Sequence, residues 1–207
     1  MKQINGIWLP DHEQHLQAYA EQGEFGKWTY QKNKLMVALQ YVKRFHLALD
    51  VGGPCGLWSK ELVTLFDKVI AFEPVQEHRE CFRLNVQGNC DLHACALGEK
   101  DGMVSIHVTE GQSGDAWVEG AGTIPMTTLD SFGFEGVDFI KLDCEGYELF
   151  ALRGGEQMLK RDKPVVIVEQ KPKRGAKFGL SDTAAVDYLL SLGYTLKKEI
   201  SGDYILV

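Results

Sequence analysis

Four acidic residues lie at the ends of apolar runs, where an open α/β sheet places the groups that bind or react. Asp50 and Glu73 close two runs roughly 20 residues apart, and Asp143 and Glu169 close two later runs. Carboxylates in such positions can hold ribose hydroxyls, balance a cationic ligand, or take a proton from a hydroxyl. The spacing therefore predicts a nucleoside-binding site with further acids beside the reacting atoms.

A glycine-rich turn, formed by Gly52, Gly53 and Gly56, follows the first of these acids. A phosphate-binding turn of the G-x-G-x-x-G type needs a glycine where this chain has Val51, and the carboxylate of Asp50 would repel a pyrophosphate. An acid before a shortened glycine turn instead suits a ligand with a positive ammonium group and no phosphate, such as S-adenosylmethionine (SAM). A tight strand-to-helix turn without any ligand is the alternative that the glycines alone leave open.

Glu73 ends the second apolar run, directly before Pro74. An acid at this place accepts hydrogen bonds from both ribose hydroxyls of a nucleoside. It can also simply cap the next helix, with Pro74 at an early helical position. Together with Asp50 and the glycines, the position favours the ligand-binding interpretation.

Asp143 ends the fourth apolar run, 139–142, and is predicted to face the crevice in which open α/β sheets bind ligands. Its carboxylate can orient a substrate hydroxyl or accept its proton. Lys141 lies inside the same run and needs Asp143 or Glu169 as a partner, because an unpaired buried charge is costly. We therefore predict Asp143, Lys141 and Glu169 as catalytic residues, with a structural ion pair as the alternative. A metal ion at Asp143 and Glu169 is an alternative of less weight, since no histidine joins them in the sequence, and no metal is predicted.

These residues need a parallel sheet to bring them together. Short runs of valine, isoleucine and leucine without polar alternation are typical of strands buried on both faces. We expect strands at 47–51, 69–72, 92–94, 139–142 and 165–168, helices at 57–66, 77–86, 149–160 and 183–192, and a terminal hairpin at 194–200 and 204–207. The prediction is an α/β, Rossmann-like fold, with a mostly parallel sheet that ends in an antiparallel hairpin and helices on both faces.

Three further segments are expected to complete the site. Residues 1–46 are predicted to form an N-terminal helical cap on a SAM-binding domain at 47–207, within one compact unit. Residues 109–123 are glycine-rich and are predicted to form a loop near the site, after a short strand at 104–108. Residues 172–179 are basic and could recruit an anionic substrate such as a sugar phosphate, although a solvated loop is the more common explanation.

Composition argues against several classes of partner. The chain has 207 residues, 44% apolar and 25% charged, with a net charge of −7 at pH 7. Nucleic acids and anionic membranes both reward clustered positive charge, and no apolar stretch is long enough to span a bilayer. Five scattered cysteines without a CxxC pair, and no recognisable signal peptide, predict a reduced cytoplasmic protein. Nothing in the sequence predicts an oligomeric state.

Four stretches carry a family resemblance. They are residues 50–59, 71–74, 96–98 with Gly102, and 128–130 followed by 140–148. With them the chain resembles the FkbM-type class I SAM-dependent methyltransferases, from about residue 47 to the C-terminus. The last stretch, which continues into Leu152 and Gly154-Gly155, is the most specific. The resemblance implies a seven-stranded sheet and SAM as the methyl donor.

The resemblance also implies roles for single residues. Gly52 and its turn contact the methionine part of SAM, Glu73 takes the ribose, and Asp143 faces the reacting end. Tyr30-Gln31 resembles a family segment that closes over SAM. The predicted SAM-binding residues are Asp50, Gly52, Gly53, Gly56, Glu73, Ala96, Leu97 and Tyr30, of which Ala96 and Leu97 flank the adenine.

One departure from the family pattern concerns the glycine turn. Relatives commonly carry Ala-Asn or Ala-His where this chain has Gly53-Pro54, and a proline removes one backbone donor.

The expected function is O-methylation of a hydroxyl on a small molecule, such as a sugar or an anionic metabolite. Two alternatives remain, a nicotinamide-dependent oxidoreductase, which Glu73 would also suit, and a SAM-binding scaffold without catalysis.

Overall fold

The computed structural model describes residues 1–23 and 31–207. Its strands are β1 (Lys2–Ile4), β2 (Ile7–Leu9), β3 (Leu47–Val51), β4 (Lys68–Phe72), β5 (Cys90–His93), β6 (Ala96–Leu97), β7 (Gly102–Thr109), β8 (Gln112–Ala121), β9 (Ile124–Thr127), β10 (Val137–Leu142), β11 (Val165–Glu169), β12 (Leu196–Ile200) and β13 (Asp203–Leu206). Its α-helices are α1 (His15–Gln22), α2 (Lys32–Leu39), α3 (Leu57–Leu62), α4 (Gln76–Asn85), α5 (Glu148–Arg153), α6 (Glu156–Asp162) and α7 (Ala184–Ser191). Within the described ranges no helix is both long and apolar enough to cross a bilayer.

A central mixed sheet organises the fold. Among the described residues seven strands form it, in the order β12-β13-β11-β10-β3-β4-β5. Strands β11, β10, β3, β4 and β5 are parallel, and β13 runs antiparallel between β11 and β12. The predicted seven-stranded sheet with its terminal hairpin is thereby confirmed. The carboxyl ends of the parallel strands meet at one edge, which holds Asp50, Glu73, Asp143 and Glu169.

Alternate residues of the central strands build two cores, one on each face of the sheet. Leu49 and Ile140 pack into the core that is covered by α5, α6 and α7. Their neighbours Ala48 and Phe139 pack into the core that is covered by α2 and α3. All four side chains are fully buried. Burial on both faces explains why these strands are apolar runs without polar alternation, and it confirms the helices predicted on both faces.

A second sheet corrects the prediction for residues 109–123, which do not form a loop. Strand β8 pairs with β7 in a hairpin, and β9 and β6 complete this sheet. Gly114 and Gly120 suggested a loop, yet an added Cβ at either would meet no atom within 4 Å, so an open strand tolerates them. Trp117 lies opposite His107, with ring centroids 4.1 Å apart. Such cross-strand pairs stabilise a hairpin and are invisible to a local reading of glycine content.

The predicted helix at 149–160 is also corrected, because the chain forms two helices, α5 and α6, that are separated at Gly154-Gly155. A Cβ on Gly154 would lie 2.0 Å from the carbonyl oxygen of Gly98. Asp130 then caps α6, since its carboxylate accepts hydrogen bonds of 3.0 and 2.9 Å from two backbone N–H groups of the first turn. The interruption is thus set by contacts with a distant part of the chain.

The N-terminal segment contains the β1–β2 hairpin as well as α1 and α2. Asn85 of α4 links this hairpin to the glycine turn. Its amide nitrogen donates to the carbonyl oxygens of Trp8 and Cys55, at 2.8 and 2.9 Å, and its oxygen accepts from the N–H of Trp8 at 2.7 Å. Glu13, just before α1, accepts a hydrogen bond from a backbone N–H of β8. The segment therefore contacts both the glycine turn and the second sheet, whereas Tyr30 lies outside the described residues.

Candidate active site

Two cavities adjoin at the carboxyl edge of the central sheet. The apolar cavity encloses about 600 Å³, including space open to solvent, and is lined by Phe72, Glu73, Cys95, Ala96, Leu97 and Tyr147 among others. The charged cavity encloses about 750 Å³ on the same measure and is lined by Trp58, Asp115, Lys141, Glu169, Lys171 and Arg174 among others. Pro54, Gly114, Asp143 and Glu145 line both cavities. The strand ends thus form a wall that is shared by an apolar cavity and a charged cavity.

Each glycine of the turn is required by a neighbouring part of the fold. Gly52, with φ +72°, approaches Asp143 so closely that a Cβ would lie 1.9 Å from the Asp143 carbonyl oxygen. A Cβ on Gly53 would lie 2.7 Å from a carboxylate oxygen of Asp50, and one on Gly56 would lie 2.7 Å from an aromatic ring of α4. Internal packing therefore accounts for all three glycines, and Gly52 and Gly53 also line the cavities.

Asp50 lies beneath the turn and lines neither cavity. Its side chain is fully buried, Oδ2 accepts a hydrogen bond of 2.7 Å from the Ser59 hydroxyl, and Oδ1 receives none. Burial raises the pKa of this carboxyl, against the opposing charge of Lys141. This geometry favours support of the turn over direct contact with a ligand, so the SAM-binding role of Asp50 stays a prediction.

Lys141 joins the two halves of the site. Its side chain is 3% exposed, and Nζ donates to the carbonyl oxygen of Gly52 at 3.0 Å and to Asp143 Oδ2 at 3.3 Å. Burial opposes the charge of the ammonium, but the carboxylates of Asp143 and Asp50 outweigh it and raise its pKa. Lys141 therefore stays charged and fixes the carboxylate of Asp143 against the glycine turn.

Glu73 is held by the chain and also faces a cavity. Oε1 accepts a hydrogen bond of 2.7 Å from the N–H of Val75, the residue before α4. The Nδ1 atom of His78 lies 3.5 Å from the same oxygen. The side chain is 4% exposed and lines the apolar cavity. A carboxylate that is held in place and faces a cavity is preorganised to accept hydrogen bonds from a ligand.

Apolar side chains form the rest of this cavity. Ala96 and Leu97 of β6 are buried, and Phe72 at the end of β4 is 1% exposed. Tyr147 lies opposite, with its ring packed on Phe150 at 4.5 Å between centroids. Flat apolar surfaces of this kind suit a purine base, and a carboxylate beside them suits its ribose.

Three carboxyl groups lie close together where the charged cavity adjoins the apolar one. One oxygen each of Asp143, Glu145 and Glu169 lies within 4.8 Å of the others, and we call these residues the carboxyl cluster. Each has a cation of its own, with Lys141 at 3.3 Å from Asp143, Arg174 at 2.9 Å from Glu145 and Lys171 at 2.7 Å from Glu169. The oxygen spacing alone would suit a metal ion, but the paired cations already compensate the carboxylates.

Burial and mutual repulsion separate the pKa values of the carboxyl cluster. Burial opposes ionisation of Asp143, yet Lys141 and Lys171 hold its pKa below the usual range. Burial and the charge of Asp143 raise the pKa of Glu145 to about 8 and that of Glu169 to about 9. The carboxyl cluster therefore combines an ionised Asp143 with two groups that keep protons near neutral pH.

The segment after β11 does not present free cations to the cavity. Lys171 pairs with Glu169, and Arg174 pairs with Glu145 and with Asp115 of β8. Lys177 lies over an indole ring of β8, with Nζ 3.8 Å from the ring centroid. The cations that line the charged cavity are thus matched by acids, which weakens the expectation of a basic lid that recruits anions.

Several residues of the charged cavity appear in the sequence-based prediction only as parts of longer segments. Asp115 and Arg174 come from distant segments and meet across the cavity. Glu145 has φ +53°, which is strained for a residue with a side chain, and places one buried oxygen without a hydrogen bond 2.9 Å from Arg174 Nε. Gln31 accepts a 2.7 Å hydrogen bond from the indole N–H of Trp58, and both line the cavity. Asp115 and Arg174 lie in the segments 109–123 and 172–179 that were expected near the site, but no local signal predicts that they pair.

The residues of the site fit SAM better than a nicotinamide dinucleotide. The apolar cavity offers a base-sized surface and the carboxylate of Glu73, and its far end offers the acids of the carboxyl cluster. Acids there match the positive sulfonium and ammonium groups of SAM. A pyrophosphate would instead approach the turn above the buried carboxylate of Asp50, 2.7 Å from the Cβ position of Gly53.

Comparison with known proteins agrees with this geometry. A FkbM methyltransferase domain model matches residues 58–196. No curated protein sequence matches the chain. The structure resembles the FkbM methyltransferase from Methylobacillus flagellatus KT, with a TM-score of 0.54 and 19% identity over 78% of this chain and 42% of that one. The chain thus spans less than half of that protein.

Two further structures share the fold. Precorrin 8W decarboxylase from Methanobacterium thermoautotrophicum has a TM-score of 0.51 and 16% identity, over 86% of this chain and 88% of that one. A Streptococcus mutans protein described as a candidate methyltransferase, solved in complex with S-adenosylhomocysteine (SAH), has a TM-score of 0.51 and 12% identity, over 86% and 96%. At such identities the likeness concerns the fold, while the domain match covers most of the chain. The chain belongs to the FkbM methyltransferase family.

Proposed function

We propose that the protein transfers a methyl group from SAM to a hydroxyl of a small, uncharged molecule such as a sugar. The observation that carries the proposal is the shared wall at Asp143, where a base-sized apolar cavity opens beside a second, polar one. The family membership and the acids at the wall support SAM as the donor. In this proposal residues 1–46 act as a cap on the domain formed by 47–207.

The apolar cavity is assigned to the donor. Glu73 accepts hydrogen bonds from the ribose hydroxyls, and Ala96 and Leu97 lie beside the adenine. The turn at Gly52 and Gly53 borders the methionine part. SAM supplies a methyl group activated by its positive sulfonium, so the protein must chiefly align the acceptor and exclude water.

Asp143 is assigned to the acceptor hydroxyl. Its ionised carboxylate accepts the hydroxyl hydrogen bond and directs the oxygen lone pair towards the donor. Lys141, which donates to Asp143 at 3.3 Å and to Gly52 at 3.0 Å, keeps that carboxylate in one orientation. A fixed acceptor oxygen near attack distance supplies much of the rate in a displacement of this type.

The charge distribution of the charged cavity supports an uncharged acceptor. Lys171 and Arg174, which a phosphate would need, already face the acids Glu169, Glu145 and Asp115. A phosphate would have to displace these acids or lie beside the ionised Asp143 and Asp115, which costs Coulomb energy in a buried site. A hydroxyl-rich molecule can instead accept from the cations and donate to the carboxylates.

Calorimetric titration with SAM, SAH and NAD tests the donor assignment. We expect SAM and SAH to bind and NAD not to bind, and the Glu73→Ala variant to lose most of the affinity for both. NAD binding without SAM binding would favour the oxidoreductase alternative.

A panel of uncharged and phosphorylated hydroxyl compounds with methyl-labelled SAM then tests the acceptor. SAM binding without label transfer to any compound would favour the scaffold alternative.

A further inference from the structure

Under the proposed function, the carboxyl cluster lies beside groups whose charge changes during the reaction. Asp143 and Glu145 line both cavities and Glu169 lines the charged one, so a donor on one side and an acceptor on the other would both face the cluster. Methyl transfer to a hydroxyl removes one positive charge from sulfur and releases one proton from oxygen. A group of acids in that position experiences both events.

We infer that the carboxyl cluster of Asp143, Glu145 and Glu169 gives up a proton when SAM binds and takes one back from the acceptor hydroxyl during methyl transfer. The inference rests on the proposed function and deepens it. The acceptor oxygen forms a bond to the methyl carbon, the electron pair of the carbon–sulfur bond stays on sulfur, and the hydroxyl proton passes to a cluster carboxylate. One positive charge in the donor cavity is thereby exchanged for one proton on the adjacent acids.

Geometry supports the exchange. Three carboxyl oxygens within 4.8 Å of one another cannot all be ionised at low cost, so the carboxyl cluster titrates as one coupled unit. Glu145 places its buried Oε2 at this wall, 2.9 Å from Arg174 Nε but without a hydrogen bond, and its side chain is 6% exposed. The raised pKa values of Glu145 and Glu169, about 8 and about 9, place the coupled proton within reach of a single added charge.

Within the described residues, further charged groups face the carboxyl cluster from every element packed against it. The cations are Lys141 of β10, and Lys171 and Arg174 after β11; the further acids are Asp50 of β3, Asp115 of β8, Glu148 of α5 and Asp203 of β13, the last paired with Lys34. These groups are fixed by ion pairs or hydrogen bonds in the described structure. The incoming sulfonium is the one charge that differs between SAM and SAH, so it sets the protonation difference.

Neither Asp143 nor Glu169 alone is a suitable base for the acceptor hydroxyl. An Asp143 with a lowered pKa orients a hydroxyl well but binds its proton weakly. A protonated Glu169 cannot accept a proton at all. If the donor removes a proton from the coupled unit, the unit regains the capacity of a stronger base before the methyl group moves. The methyl donor therefore prepares the base that its own reaction requires.

Proton release on binding can be measured without an acceptor. Calorimetric titrations of SAM and SAH at pH 8 in two buffers of different ionisation enthalpy give the number of protons released by each. We expect SAM to release about half a proton more than SAH, and its affinity to rise about threefold per pH unit between 7 and 9 while that of SAH changes less. The sign follows because SAM favours the deprotonated cluster, so protons compete with it at lower pH.

Variants distinguish protons released by the carboxyl cluster from protons released by the ligand itself, because the ligand is the same in every variant. Glu169→Gln and Glu145→Gln should each abolish most of the SAM-minus-SAH proton difference, whereas Glu110→Gln, an exposed acid in the β7–β8 turn, should leave it unchanged. Equal proton release by SAM and SAH in the wild-type protein would overturn the inference, as would a difference that survives both variants. Failure of both ligands to bind would instead overturn the proposed function.

Discussion

The apolar cavity and the charged cavity meet at Asp143, yet the chain builds them in different ways. The apolar cavity is lined by residues at the ends of the central strands, such as Glu73 after β4, and by residues of β6 and β8. The charged cavity draws on Gln31, Asp115 and Arg174, which lie far apart in the chain. In the proposed function the apolar cavity is the donor half of the site and the charged cavity the acceptor half, so the strand-end acid Glu73 belongs to the donor half and the pair of Asp115 with Arg174 to the acceptor half.

The largest expected effect concerns Asp143, one of the four residues that line both cavities. Asp143→Asn removes the negative charge that orients the hydroxyl but keeps the shape of the side chain. We expect methyl transfer to fall about 10²- to 10⁴-fold, the usual contribution of a positioned acid or base, with SAM affinity changed less than tenfold. Turnover with an acceptor found in the labelled-methyl panel and calorimetric SAM binding check this.

Asp91→Asn, on the edge strand β5 and paired with Lys68, is the matched control. If Asp143→Asn kept full turnover, the assignment of Asp143 to the acceptor hydroxyl would be wrong. If SAM affinity fell as much as turnover, Asp143 would belong mainly to the donor half.

The next effect concerns stability. Lys141→Met leaves the buried carboxylates of Asp50 and Asp143 without their shared cation, and removes the donor to Gly52. Breaking one side of a buried ion pair typically costs about 3–5 kcal/mol, so we expect a loss of this size in the free energy of unfolding. Urea denaturation followed by circular dichroism measures it, with Lys197→Met on the exposed edge of β12 as the control. A loss below about 1 kcal/mol would show that Lys141 does not hold the two halves together.

A smaller effect tests the donor half by itself. Glu73→Gln keeps the size of the side chain but removes the charge from its hydrogen bonds to the ribose. Hydrogen bonds to charged groups contribute about 1.5–3 kcal/mol, so SAM affinity should fall about 10- to 100-fold. Turnover at saturating SAM should change little, because the acceptor half is untouched. Glu77→Gln, in the first turn of α4, serves as the control, and an equal loss there would assign the effect to the helix start.

The sequence predicts the strand ends around the apolar cavity better than the contacts that form the charged cavity. The strands of the central sheet, the hairpin and the acids at the strand ends could be predicted, because burial on both faces and strand-end acids leave local patterns. The β8 strand was missed because its pairing with β7 depends on residues outside the glycine-rich window. The meeting of Asp115 with Arg174 could not be predicted, since two ordinary charged residues acquire a role only through the fold.

The smallest expected effect concerns Pro54, which lines both cavities and opens a short 3₁₀ turn, Pro54–Gly56. The neighbouring departure from the family pattern has a physical reason, because a Cβ on Gly53 would lie 2.7 Å from Asp50 Oδ2. Pro54 has no such constraint in the described structure. Its ring simply withholds a backbone N–H at the wall between the cavities.

Pro54→Ala restores that N–H, and a single hydrogen bond contributes about 0.5–1.5 kcal/mol, so SAM should bind about 2- to 10-fold more tightly. The same change loosens the unfolded chain and should lower the free energy of unfolding by up to about 1 kcal/mol. Tighter binding in a less stable protein is a combination that general damage to the turn would not produce. Calorimetry and urea denaturation of the same preparation measure both quantities. An unchanged SAM affinity would mean that the backbone at position 54 faces the acceptor, which would move this part of the turn from the donor half of the site to the acceptor half.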